Sequence, residues 1–361
     1  MWLNTTSRRG FLKQTMLGGA AAIGALATGR AASFAAVPGE PTATAVPAAR
    51  VALTTGRSRA EVAFEALRPL SQDIARAIGN RRVIIKPNNV STTIPLASTH
   101  AETLEGIFEF LKSIGKLDGA AVAESAASGP TMDGYENFGY IRLAEKYGVK
   151  LLDLDQQGFE VMHVIDERDM RPKAVRMSSL LLDPASFVIS AARMKTHDRV
   201  VATLSLKNIV FGAPIKDIGA GWGPSRRPGA RSDKPIAHGG GIHGINYNMF
   251  ALAQHLHPHL ALIDGFEGME GDGPTGGTPV DHRVCVAGLD WLAADRVALE
   301  LMGIDFAHVG YLNYCAAAGM GQSDLGRIEI IGESIERHRR KYQLARDIEQ
   351  QLSWMKPPGR A

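Results

Sequence analysis

The sequence predicts an α/β fold, a mostly parallel sheet with helices on both faces, open to division into two lobes and interrupted by a long Gly-rich loop. Three observations carry this. Short β-type runs alternate with segments of helical spacing, the pattern that yields parallel sheets covered on both faces. A 361-residue chain with 45% hydrophobic and 21% charged residues has material for a substantial core, which excludes a disordered or fibrous chain. Third, Gly212 to Gly244 holds nine glycines and four prolines among 33 residues, too many for regular structure.

In order, Val51–Thr55 reads as a strand, and Arg59–Ile78 has apolar residues at helical spacing, with a break expected at Pro69. Val83–Ile85 is an apolar run stopped by Pro87. Thr103–Ile114 reads as a helix, Ala120–Ala123 as a strand, Ile141–Tyr147 as a helix ended by Gly148, and Val149–Leu154 as a strand. Val161–Ile165 and Val175–Leu182 resemble paired strands, Phe187–Ala191 a buried strand, and Val200–Val210 a helix. After the Gly-rich segment come a helix (Ile245–Leu256), a strand (Leu260–Ile263), a second Gly-rich stretch (Gly265–Gly277) and a strand (Val284–Ala287). A helix (Trp291–Met302) with Asp290 as its N-cap, and a strand (Ile328–Ile331), complete the sheet. Ser334–Leu352 reads as a charged, solvated helix.

The two ends read differently from the middle. Ser7-Arg8-Arg9-Gly10-Phe11-Leu12-Lys13, a Gly/Ala-rich apolar run and small residues around Ala35 resemble a twin-arginine export leader, residues 1–35. That resemblance implies the twin-arginine translocase as a transient partner, a periplasmic or exported protein, and no permanent membrane span. Residues 36–49 read as a linker, 50–332 as the α/β domain, and 333–361 as a charged helix and tail. The leader holds four basic residues and no acid, so the mature chain has 36 basic against 37 acidic residues, a net charge of about −1. Composition therefore gives no support for nucleic-acid binding. Two cysteines exclude an iron–sulfur cluster ligated by this chain's own cysteines. Cys285 and Cys315 are candidates either for a disulfide or for two buried thiols.

Ligands of parallel α/β sheets bind outside the carboxyl ends of the strands. Four predicted strands deliver polar groups there: Lys86-Pro87-Asn88-Asn89, Glu124-Ser125, Arg193 with Lys195-Thr196-His197, and Asp264 with Glu267. Together with Ser205-Leu206-Lys207-Asn208, Gly212, Lys216, Glu270-Gly271-Asp272-Gly273-Pro274 and Asp295, these residues resemble the family called domain of unknown function 362, over roughly Val83 to Met302. Some members carry iron–sulfur segments, which this chain lacks. The family implies no activity.

The residue types suggest the chemistry. Lys86, Asn88, Lys207, Asn208 and Lys216 are candidates to hold a small anionic organic molecule, and crowding of lysines lowers their pKa toward base or imine chemistry. Lys195, His197 and Glu124 are candidate proton-transfer residues. His238, His243, Asp264, Glu267 and Glu270 are the candidate ligands of a divalent metal, although the histidine-bearing glycine run equally suits a lid. The reading is an exported enzyme of isomerase, lyase or hydrolase type. Its alternative is a non-catalytic periplasmic protein that binds a metal or cofactor or serves a redox partner.

Overall fold

The computed structural model describes residues 48–221 and 227–357, which lie in one compact unit, Ala45–Ala361. The residues read as an export leader, with its expected cleavage near Ala35, lie outside them. Strand β1 (Ala49–Thr55) begins inside the expected linker, because Ala49 and Arg50 already pair with Ile328 and Glu329. Helix α1 (Arg59–Leu67) is capped by the Ser58 hydroxyl, which accepts from the Glu61 N–H. Pro69, with no N–H to give the helix, sits in a 3-10 turn (Arg68–Leu70) before α2 (Ser71–Ile78). The first parallel half follows: β2 (Arg82–Lys86), α3 (Ala101–Ser113), β3 (Ala121–Glu124), α4 (Thr131–Asn137), α5 (Tyr140–Tyr147) and β4 (Lys150–Asp153). Gly148 ends α5 at φ 69°, the left-handed position that favours glycine.

Strands β5 (Phe159–Ile165) and β6 (Pro172–Ser178) form a separate antiparallel ribbon, and the strand expected to reach Leu182 gives way to a helical turn, α6 (Ser179–Leu182). β7 (Ser186–His197) is twelve residues long and buried throughout, far beyond the expected Ala191. The single helix expected over 200–210 is β8 (Val201–Thr203) followed by α7 (Ser205–Val210). In the glycine-rich segment, isolated bridges tie Met177 to Pro214 and Lys216 to Ser232, and α8 (Lys234–Ala237) and the start of α9 (Gly241–Ala253) supply regular structure.

β9 (Leu260–Glu270) extends into the second Gly-rich stretch as far as Glu270, residues 271–277 form the turn, and β10 (Thr278–Gly288) returns beside it. Gly265 and Gly268 do not break the strand. A Cβ at Gly268 would stand 2.2 Å from the Tyr342 hydroxyl, so close packing explains that glycine. Helix α10 (Trp291–Leu301) starts at Asp290, whose carboxylate accepts from the Ala293 N–H, and α11 (Gly310–Ala317) and β11 (Ile328–Gly332) follow.

The charged helix over 334–352 is not formed as one element. Short α12 (Ile335–His338) and α13 (Ile348–Gln351) flank an extended strap whose Tyr342 and Ala345 are buried. Four of the five residues from Arg337 to Lys341 are Arg or Lys and crowd like charge in any helix there, and the strap finds other backbone partners: Arg340 N–H donates to Leu301 O and Tyr342 N–H to Met302 O.

The main sheet runs β11-β1-β10-β9-β7-β2-β3-β4, with β8 beside β7, and is mostly parallel. One face packs Ile84, Val188 and Ile263 against α7, α9 and α10; the other packs Ile85, Ile189 and Leu262 against α1 and α3. Among the described residues no helix is long and apolar enough to cross a membrane.

Candidate functional site

β2, β3 and β7 are parallel neighbours whose carboxyl ends, Lys86, Glu124 and His197, open at one edge of the sheet. Here the chain order runs outward through β3 and β4 on one side of β2 and returns as β7 on the other. Such a reversal leaves a crevice. A cavity of about 520 Å³ occupies it, a size suited to a small organic ligand.

At its floor the Lys86 ammonium donates to Glu124 Oε1 at 2.7 Å, to Pro87 O at 2.9 Å and to Asn208 Oδ1 at 3.3 Å. Glu124 also accepts from the N–H groups of Asn89 and Ser125. Burial lowers the Lys86 pKa, and Glu124 opposes that fall. Gly212 is needed beside them: a Cβ there would stand 2.4 Å from Lys86 Nζ and 2.3 Å from Asn208 O. Asn208 reaches back to Lys86 O and Ser190 Oγ, so it braces the site without lining it.

The upper wall carries two cations, Lys207 and Arg199, and one acid, Asp198. Lys207 is buried and lines the cavity, with Nζ 5.8 Å from the centre of the Phe211 ring, and among the described residues nothing accepts a hydrogen bond from it. Burial pulls its pKa down to about 8, assisted by Lys86 and Arg199 and opposed by Asp198. Arg199 also lines the cavity, its Nε buried and without a partner. It is carried on the short turn between β7 and β8, where Val201 holds φ 69°. A β-branched residue is strained there, and its N–H is fixed by Gln351 Oε1 at 2.7 Å.

Two histidines share this wall in opposite tautomers. His197 Nδ1 accepts the Arg199 N–H at 3.0 Å, which places its proton on Nε2. His238 Nδ1 lies 2.8 Å from Lys234 O, an acceptor, so its proton is on Nδ1 and Nε2 bears the lone pair. Burial, then the charge of Lys207, pushes both pKa values well down, leaving both rings neutral.

Of the residues singled out from the sequence, Lys86, Asn88, Glu124, His197, Lys207 and His238 line the cavity. Lys195 does not; its Nζ donates to Ala97 O at 2.7 Å, and burial drives its pKa well down. Lys216 stands one step back, bound to Asp155, which in turn takes the Ser125 hydroxyl at 2.6 Å.

The metal set does not assemble. Asp264 lies two residues after Leu262 and so faces the opposite side of the sheet from Lys86, where it accepts from the Thr103 hydroxyl at 2.7 Å. Glu267 pairs with Arg193, Glu270 accepts from Gln343 N–H, and the His243 imidazole meets Lys356 O. Among the described residues, no group of three or more His, Cys, Asp or Glu is placed to hold a metal ion.

Asn89 and Ser125, which follow the ends of β2 and β3, line the cavity as well, whereas sequence reasoning missed Arg199 and Lys234. Lys234 is buried on α8, donates to Gly212 O at 3.0 Å, and has its pKa pulled down to about 7 by burial. Nothing in its surrounding sequence marks it, because the cavity wall it joins is formed by distant segments. Both cysteines are free and buried, on β10 and α11.

The sequence profile described as Domain of unknown function (DUF362) matches residues 83–300, the span that supplies every described residue lining this cavity. A thylakoid-associated protein of Synechocystis sp. is 23% identical over 230 residues, 63% of this chain and 65% of that protein. The matched region thus spans a little under two thirds of that relative's length.

Proposed function

Since the chain belongs to the family described as Domain of unknown function (DUF362), a description that names no activity, we propose from its own cavity that it is an enzyme acting on a small organic anion by proton transfer. One observation carries the reading: Lys207 and Arg199 line a single cavity, and among the described residues no carboxylate forms an ion pair with either. Buried or half-buried cations left in this way are costly unless a ligand completes them.

In this reading Lys207 and Arg199 bind the anionic group, and Asn88 orients it. His238, with its lone pair at Nε2, takes a proton, and His197, with its proton at Nε2, donates a hydrogen bond to oxygen. Lys86 and Glu124, already satisfied by one another, fix the floor. This reassigns the proton-transfer role from Lys195, whose ammonium is committed beneath the cavity, to the histidine pair. The leader's likeness to twin-arginine signals supports export before the enzyme acts.

Thermal melts against a panel of short carboxylates and phosphates test the binding, since a ligand of the native state raises its stability. At least one anion should raise the melting temperature, and Lys207→Met with Arg199→Met should abolish that shift. Proton NMR in D2O then follows exchange of the anion's C–H, which His238→Gln should slow. A panel that leaves the melt unmoved sinks the proposal.

A further inference from the structure

Five lysines surround or back the cavity, and four have their ammonium groups engaged. Lys86 is tied to Glu124, Lys195 to Ala97 O, Lys216 to Asp155 and Lys234 to Gly212 O. Lys207 differs. It is buried, lines the cavity, has an aromatic ring on one side, and finds no acceptor among the described residues. An amine withdrawn from water beside other cations gives up its proton more readily than an exposed lysine, which suits it to act as a nucleophile.

We infer that Lys207 condenses with the carbonyl group of a short 2-oxo acid, forming an imine inside the cavity. The inference rests on the anion-binding reading of the same cavity and adds the substrate class. The carboxylate of a 2-oxo acid suits Arg199, whose Nε is buried and unpaired, and the adjacent carbonyl carbon is the electrophile that an uncommitted amine requires.

The step balances within the site. The Lys207 nitrogen lone pair forms a C–N bond to the carbonyl carbon, and the C=O π pair moves to oxygen. His238, with its lone pair at Nε2, takes one N–H proton and returns it to that oxygen; the second amine proton follows, the C–O bond breaks, and water leaves. His197 Nε2–H donates a hydrogen bond to the oxygen while it carries charge, without giving up its proton. No oxidant or reductant takes part. With its pKa lowered to about 8, Lys207 offers a free-amine fraction at neutral pH roughly two orders of magnitude above that of an ordinary lysine.

The test is reductive trapping. The full chain is incubated with pyruvate and cyanoborohydride near neutral pH, and adducts are located by peptide mass spectrometry, with a parallel melt in pyruvate alone. One adduct per chain is expected, at Lys207, formed at least about tenfold faster than at any exposed lysine, and none at Lys234, whose Nζ is held by Gly212 O. Its rate should rise with pH and level off above about 8. Lys207→Met should lose the adduct; if that variant does not fold, the site map on the unaltered chain decides alone. A raised melting temperature with no Lys207 adduct overturns the imine and leaves the anion site standing. Absence of both a melting shift and an adduct at Lys207 overturns the inference at its foundation.

Discussion

Replacing Glu124 by Gln removes the charge that lets Lys86 stay buried. Both side chains are about 1% exposed, and the contact is 2.7 Å. At an effective dielectric of about 20, that distance corresponds to roughly 6 kcal/mol of attraction, most of it opposing the desolvation of two ions. The substitution deletes the attraction and keeps the lysine's share of desolvation. Gln also turns an amide donor toward one of the groups Glu124 accepts from: Lys86, Asn89 N–H or Ser125 N–H. The expected loss is about 3–5 kcal/mol, a large part of the stability of an ordinary domain. Urea unfolding at neutral pH measures it, in a cycle with Lys86→Met and the double variant. The double variant should cost less than the sum of the two single changes, because neither partner is then left alone. There is also a pH signature. A lysine with a lowered native pKa binds fewer protons folded than unfolded, so between that pKa and 10.5 stability rises with pH. Without Glu124 to oppose burial, that window widens, and the defect should shrink by up to about 1.4 kcal/mol per pH unit as alkali is added. A Glu124→Gln cost under about 1 kcal/mol, or strict additivity in the cycle, refutes the claim that this pair holds the floor.

Three further outcomes follow from the same geometry. Gly212→Ala forces a Cβ against Lys86 Nζ and Asn208 O, so it should destabilise by about 1–3 kcal/mol in the same urea assay and weaken any anion-induced melting shift. Asp295 accepts the Ser205 and Leu206 N–H groups at 2.8 and 3.1 Å, anchoring the helix that carries Lys207, and burial raises its pKa to about 7. Because its folded form holds a proton that the unfolded form releases from about 3.8 upward, this group makes stability fall as pH climbs toward about 7; Asp295→Asn should flatten that slope in melts taken across the range. Burial pushes the Cys315 thiol up to about 12 and Cys285 well up as well, so a disulfide-exchange reagent should titrate neither in the native chain and both in urea.

The β2–β3 half of the sheet and its site residues were legible in the sequence because each strand is short, apolar and followed at once by its polar group. Lys86 and Glu124 end their strands, so position along the chain gave position in space. The same rule misled for Asp264. It occupies the right end of β9, yet side chains alternate faces along a strand, and Leu262 fixes its parity to the other core. β7 hid its length because Arg193, Lys195 and His197 look like loop residues, although all three are buried within the strand. Lys234, Arg199 and the strap over 339–347 were invisible for a common reason. Their placement depends on tertiary partners far away in the chain, such as Gly212, Gln351 and Glu270, and local periodicity carries no record of those.

The strap and the helix after it fasten the cavity from outside the span that lines it. Gln343 O receives the Gly271 N–H, the Arg346 guanidinium clasps Asp272, and the turn so fastened brings Pro274 and Thr275 to the mouth of the cavity. Gln351 likewise steadies the strained turn that bears Arg199. A stretch of chain holding every residue matched by the family profile would thus carry the cavity's lining but lack the fastenings for two of its sides, which residues 343–351 supply.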